Sequence, residues 1–521
     1  MTEREWLRMP ANYKIGVIGI GESIGETVEG LWEVIESLDK ELDNKLKNTP
    51  YSFTIVSPLA SDTERYVIRE LLASQHENSG LLEKIGIEVV LPLSRDEYMG
   101  GLDEKERDEL KPILDAAQIK ILKEEEGTDS YKQAGYYVVD NCDALVFISD
   151  ETVEHELTQY AKKSGRYIFR IASGEQLKIS EREKYSLKAL EHLDTYNGEK
   201  VSEDAVDSDV NSKYDFLVDK ASESGFSVEP LKNMKGNVMY HMARANLLAR
   251  KYQDRYLRFG TAIYALAAAA IATVTIQVFF FPQHPELLWL EVVEMGIILA
   301  LTATRSFQWH RRAVDYRFLA DRLQAAIFLH IAGVKCLTPE SPSHLNLSHR
   351  SGDWVMRSFE QVWSELPSVQ PGSNLTSLKT FLVEGWINDQ IDWYEKSGRK
   401  YSSRSRFLER LSGLLFVITL IAAILHASET FPHLFNVLTS AVIILPAIAA
   451  SLAGIRHQRE YKINAERYNN MGHHLTSARR QIIRADNRRS LVHVLERVNN
   501  LLLHENQDWR IVFLHQKLEP L

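Results

Sequence analysis

Four apolar stretches in the second half of the chain, 259–281, 287–303, 411–427 and 434–455, come as two close pairs. A helix needs roughly 20 apolar residues, at about 1.5 Å rise each, to cross a hydrocarbon core of about 30 Å. The first and fourth stretches meet that length, and the second and third sit at its lower limit. The turns inside each pair, 282–286 and 428–433, hold no Lys or Arg. The outer flanks are basic: Lys251, Arg255 and Arg258, then Arg305, Arg311 and Arg312. The second pair is flanked by Arg399, Lys400, Arg404, Arg406 and Arg410, then by Arg456, Arg459 and Lys462. By the positive-inside bias both turns face outward. The expectation is a multi-pass protein of the inner (plasma) membrane with four spans and cytoplasmic N- and C-termini.

Composition tempers that reading without removing it. Mean hydropathy is only -0.24 and 25% of residues are charged, as in a soluble protein with apolar core helices. That average is diluted by the long polar sequence outside the spans, whereas 262–278 has no charged side chain. A net charge of -10 argues against a dedicated nucleic-acid binder, and the basic flanks suit anionic lipid. The two cysteines, Cys142 and Cys336, are too few for a disulfide framework. The charged first twelve residues lack the apolar core of a signal peptide.

Up to about residue 175 strand and helix signals alternate, which predicts a Rossmann-like α/β domain with a parallel sheet. Strands are expected at 13–19, 52–57, 87–91, 118–122, 144–148 and 167–171. Helices are expected at 27–48, 62–74, 104–116, 129–141 and 154–163, with Pro112 bending the third. Ser61 and Glu64 have capping-box spacing. Ligands of such sheets collect at the carboxyl ends of the strands, where helix N-termini offer free N–H groups. Those ends carry Gly19, Gly21, Glu22 and Ser23 after the first strand. Ser57, Leu59, Asp62 and Arg65 follow the second, Arg95 and Tyr98 the third, and Ser149, Asp150 and Glu151 the fifth. A glycine-rich first turn lets backbone approach a ligand closely, although its spacing is not GxGxxG. Asp140 and Asp143 flank Cys142; with no nearby His, capping and turn roles fit them better than a metal or nucleophilic centre.

The stretch 56–65, the Leu91-Pro92-Leu93 and Asp96-Glu97-Tyr98 segments, and Tyr131 with 135–146 together resemble the SLOG domain. That family of Rossmann-like nucleotide sensors is related to the LOG phosphoribohydrolases. The resemblance covers about 160 residues and implies a nucleotide-derived ligand held by the residues above together with Tyr131, with no metal and no separate cofactor. The enzymatic branch has a PGGxGT-like loop, and here 149–156 contains no glycine. Carboxylates there repel phosphate unless a cation intervenes, so binding is expected rather than hydrolysis. Asp150, Glu151 and Glu154 also suit simple helix N-terminal charge.

Beyond the sensor, 180–193 reads as a charged helix and 194–212 as a polar, acidic linker. The membrane part looks duplicated. Arg250-Lys251-Tyr252 and Arg399-Lys400-Tyr401 precede the two pairs; Asp315-Tyr316-Arg317 with Asp321-Arg322 and Glu460-Tyr461-Lys462 with Glu466-Arg467 follow them, 145 positions apart. This unit resembles the SLATT family of two-span membrane effectors found with SLOG domains and second-messenger synthases. The expected order is sensor 1–175, helix and linker 176–235, first two-span unit 236–345, helical connector 346–392 and second two-span unit 393–521. The connector, with Trp354, Trp363 and Trp386, is either a packing module or a partner site.

The resemblance implies a bacterial anti-phage role in which a bound nucleotide second messenger triggers assembly or opening of a pore. The expected partners are that messenger, membrane lipid and further copies of the chain, and not nucleic acid. Asp315, Asp321, Glu460 and Glu466 are either inter-subunit gating pairs or ordinary solvated pairs on helix surfaces. Glu291 and Glu294 either mark the membrane interface or line a cation pore, and Pro446 is expected to bend the fourth span. Two alternatives compete: a membrane-anchored nucleoside-phosphate hydrolase, and a nucleotide-regulated channel or transporter. Few polar groups in the spans weigh against a midplane transport site.

Overall fold

The computed structural model describes residues 8–20, 27–74, 81–122, 130–149, 156–172, 175–178, 185–303, 306–334, 353–366 and 374–514. The chain divides into two compact units, residues 1–200 with 338–366, and residues 201–337 with 367–521.

The first unit is a doubly covered sheet. Its elements are β1 (Ala11–Ile20), α1 (Thr27–Lys45), β2 (Tyr51–Ser57), α2 (Asp62–Ser74), β3 (Ile85–Leu91), α3 (Arg95–Gly100) and α4 (Glu104–Ala116). There follow β4 (Gln118–Ile121), α5 (Ser130–Asn141), β5 (Ala144–Ser149), α6 (Glu156–Lys163), β6 (Tyr167–Ala172), β7 (Glu175–Lys178) and α7 (Tyr185–Gly198). Strand order is β4-β3-β2-β1-β5-β6-β7. The six strands expected from sequence pair in parallel, and β7 adds an antiparallel edge that the sequence pattern did not signal. The buried strands read as near-continuous apolar runs, as strands covered on both faces must; every residue of β5 is buried. Pro112 lies inside α4 without ending it.

This unit recruits a helix from far along the chain, α13 (Trp354–Ser364). Trp354 packs on Tyr196 with ring centroids 5.4 Å apart. Arg357 spans the starts of the two central strands: it donates to both carboxylate oxygens of Asp143 at 2.7 Å and to the carbonyl of Asn12 at 2.6 Å. Asp143 also accepts the Lys14 amide at 2.9 Å. Asp143 is therefore a buried structural hub, Cys142 is buried beside it, and burial pushes its thiol well up from the ordinary range.

The second unit is helical: α8 (Glu203–Ser224), α9 (Glu229–Lys235), α10 (Val238–Phe280), α11 (Leu288–Ala303), α12 (Ser306–Ile331), α14 (Leu375–Leu382), α15 (Asn388–Ala427), α16 (Phe435–Gln458), α17 (Tyr461–Arg484) and α18 (Arg488–Leu514). The acidic stretch read as a linker is helical from Glu203, because Val206, Val210, Leu217 and Ala221 recur at helical spacing and are buried. The expected connector 346–392 is divided between the units. Its Trp354 belongs to the first core, while Trp386, on a π-helical turn at Val383–Ile387, stacks on Phe328 at 5.0 Å in the second. Both tryptophans are buried, which favours packing over partner recognition.

Among the described residues three helices are long and apolar enough to cross a membrane: Val238–Phe280, Leu375–Ala427 and Pro432–Arg484. Four spans result only if Pro285–Ala303 and Gln308–Ile331, bent by 44°, count as one. The second expected span, 287–303, corresponds to α11. At 16 residues, α11 reaches about 24 Å, short of the roughly 30 Å core. The long helices are inside-out in polarity, with Phe416 65%, Ile424 59% and Val278 51% exposed, as lipid-facing residues are. Pro446 lies within α16 without interrupting it. A Cβ on Gly454 of α16 would meet the Tyr264 ring of α10 at 2.5 Å, so glycine is required where these two helices cross.

Candidate functional site

The direction of strand succession reverses between β1 and β5, whose ends align Ile20 with Ser149. Crevices at such reversal points are where ligands bind in open α/β sheets. The segments 21–26 and 150–155 that leave this edge lie outside the described residues. With them go Gly21, Glu22, Ser23, Asp150 and Glu151. Ser149 itself is buried at the end of β5.

On the β2–α2 side the geometry is explicit. Leu59 takes a left-handed backbone, φ 50°, which turns the chain sharply into α2. Ser61 and Glu64 form the expected cap: Ser61 Oγ accepts the Glu64 amide at 3.3 Å, and the Glu64 carboxylate accepts the Ser61 amide at 3.4 Å. That carboxylate also takes the amides of Ala60 at 2.6 Å and Gly19 at 2.8 Å. Gly19 is glycine because a Cβ would meet Ser61 Oγ at 2.5 Å. Its role is therefore close approach of α2, and its N–H is already spent on Glu64 rather than left for a ligand.

Glu64 was legible only as a cap, yet it is the centre of this cluster. Burial pushes its carboxyl up to about 7, against the pull of the three amides. Between 4.5 and about 7 the folded chain then holds a proton that the unfolded chain releases. Stability falls as pH rises through that window, by at most about 3 kcal/mol. Amide exchange in β1 and α2, corrected for intrinsic rate, should accelerate between pH 6 and pH 8. The Glu64→Gln variant should lack this step.

The remaining predicted residues are gathered, but their polar groups face inward. Ser57 Oγ accepts the Leu59 amide at 3.3 Å. Arg65 donates to Leu59 O at 3.3 Å, to Glu106 at 2.7 Å and to Asp62 at 3.4 Å. Tyr98 is buried and donates to Leu59 O at 2.8 Å, and burial pushes its phenol up to about 12. Arg95 is drawn away to Asp115. Tyr131, 6.4 Å from Tyr98 between ring centroids and 43% exposed, is an outward-facing aromatic at the start of α5. Among the described residues no cluster could hold a metal ion.

In the helical unit the charges expected on helix surfaces prove largely internal. Asp315 is buried and accepts Arg510 at 2.8 Å, with Arg311 at 3.8 Å. Asp321 pairs with Arg317 at 3.0 Å, and that guanidinium lies over Trp393 at 5.4 Å. Glu460 is buried with φ 47° at the start of α17, while Glu466 is exposed. Asp315 is thus no ordinary solvated pair, whereas Asp321 keeps a quarter of its side chain exposed. Glu294 accepts Thr273 of α10 at 3.4 Å, and Glu291 lies half-buried in the first turn of α11.

The two segments whose sequences match carry similar tyrosine pairs. Tyr252 meets Tyr316 edge-on at 5.9 Å and 69°, and Tyr401 meets Tyr461 at 5.4 Å and 70°. One helix, α18, holds both α12 and α17. Its Asn499 accepts the buried Arg322 at 2.8 Å, its Arg510 holds Asp315, and its Glu505 binds Arg467. Sequence reasoning missed this role because the partners of α18 lie far from it in sequence.

No curated protein and no solved structure matches the chain. Residues 383–509, which contain α15, α16, α17 and nearly all of α18, match the family described as SMODS and SLOG-associating 2TM effector domain 1.

Proposed function

We propose that the chain is a membrane effector of a bacterial anti-phage system. In this reading the α/β unit captures a nucleotide-derived signal at the β1–β5 edge without turning it over. The duplicated helical hairpins respond by assembling or opening a pore. The observation that carries the proposal is the match of 383–509 to a two-span effector domain in a chain whose front unit has a sheet reversal point. Capture without hydrolysis rests on the glycine-free 149–156 segment. The inward-turned polar groups of Ser57, Arg65 and Tyr98 leave Tyr131 as an aromatic surface for stacking a base. Differential affinity of the signal for the active state supplies the bias.

The test is co-purification of small molecules with the full chain, followed by mass spectrometry and dye release from liposomes on adding the compound found. The full chain is the proper sample, since α7 and α13 complete the α/β unit. A bound phosphorylated nucleotide that raises leakage supports the proposal. Leakage indifferent to every nucleotide recovered, or conversion of the nucleotide by the purified chain, overturns it.

A further inference from the structure

Charge is partitioned unequally. The first unit holds 44 Asp and Glu against 27 Lys and Arg, a net of -17; the second holds 27 against 34, a net of +7. The whole-chain value of -10 hides both. Within the second unit the positive charge concentrates on the α17–α18 hairpin. Between 479 and 497 there are six Arg, no Lys, and only Asp486 and Glu496 in opposition. Arg480, Arg484, Arg489 and Arg497 are exposed, and the first three have no carboxylate partner among the described residues. Arg497 donates to Gln481 at 2.6 Å, which sets the exposed faces of the two helices side by side. Arginine without lysine marks a surface suited to forked recognition of carboxylate or phosphate.

Lipid headgroups are out of its reach. Helix α17 runs back along the polar half of α15: Tyr461 meets Tyr401, Tyr468 meets Tyr394, and Arg479 donates to Asn388 at 3.2 Å. Asn388 lies 23 residues before Leu411, where the apolar half begins. At 1.5 Å per residue that is about 34 Å along one continuous helix, several times the ~8 Å screening length of physiological salt.

A complementary surface exists on the chain itself. Residues 95–116, carrying α3 and α4, hold eight acidic against four basic side chains. Glu104 and Asp108 there are exposed, with no cationic partner among the described residues. We propose that the α17–α18 hairpin of one chain binds the acidic α3–α4 surface of a second copy of this chain. Such a contact is head-to-tail and can propagate or close into a ring. It supplies the assembly step of the function proposed above, on which it rests. Because α4 contributes Glu106 to the Arg65 cluster, it also lies next to the candidate ligand edge. Ionic attraction across it is screened by salt.

The experiment is single-particle mass measurement on the full chain in nanodiscs at 50 and 500 mM NaCl. Wild type should be multimeric at low salt and lose at least tenfold in association at high salt. The variant R480E/R484E/R489E should be monomeric at both, as should E104K/D108K. An equimolar mixture of the two should associate again, because opposite charges then face each other. All five positions are exposed, and unchanged circular-dichroism melting checks folding. A monomeric wild type at micromolar concentration and 50 mM NaCl overturns the proposal. So does association indifferent to both reversals, or loss from the triple variant of bound nucleic acid absorbing at 260 nm with particle mass otherwise unchanged. Nucleotide-dependent dye release that survives both reversals would sink this contact alone and leave the effector reading standing.

Discussion

Replacing Arg357 with alanine is expected to lower the stability of the α/β unit by about 3–5 kcal/mol. Asp143 is 3% exposed and receives both of that guanidinium's arms, so truncation leaves a buried carboxylate with one backbone amide for company. Breaking a buried pair costs this much because the surviving charge is uncompensated, not because the pair itself was worth it. The Arg357→Met/Asp143→Asn double replacement should therefore recover most of the loss. Hydrogen exchange of the full chain reads it directly: amides of β1 and β5 should exchange faster in the single variant and return towards wild type in the double. Equal protection in all three would show that α13 does not hold the starts of these strands.

The second large effect is expected at the Arg467–Glu505 pair. Burial pushes the Glu505 carboxyl up and Arg467 pulls it back down. With Arg467→Ala only the weaker pull of Arg317 opposes that push, and about 3–5 kcal/mol of packing between α17 and α18 should be lost. The Glu505→Gln change in the same background should restore a good part of it. The sign with pH follows: the folded carboxyl titrates above its unfolded value, so in Arg467→Ala stability falls as pH rises from about 4.5. Limited proteolysis of the full chain at pH 6 and pH 8 measures this. The cleavage expected is between α17 and α18 in the single variant only, and faster at pH 8.

Five of the six parallel strands were readable because burial on both faces leaves a local apolar signature, which β5 shows at every position; the sixth, β4, is a largely exposed edge strand. The paired apolar stretches were equally local. Helix α8 carried its signal as well, in the spacing of Val206, Val210, Leu217 and Ala221, but acidic composition concealed it. What could not be read were the non-local arrangements. Nothing near Arg357 announces that it closes a sheet beginning more than three hundred residues earlier. Nothing near Glu505 announces that one C-terminal helix holds both α12 and α17. At the candidate ligand edge the chain order pointed to the turn after β1, yet Gly19 is small to admit Ser61, and its amide serves Glu64. A donor found by motif spacing can already be spent inside the fold.

The most direct measurement is fractionation of the full-length chain made without detergent. Inverted polarity of the long helices, with Phe416, Ile424 and Val278 turned outward, requires a bilayer around them. The chain should remain in the membrane pellet after an alkaline carbonate wash and enter solution only with detergent. Recovery of the intact chain from the aqueous supernatant as a uniform, well-folded particle would contradict the account.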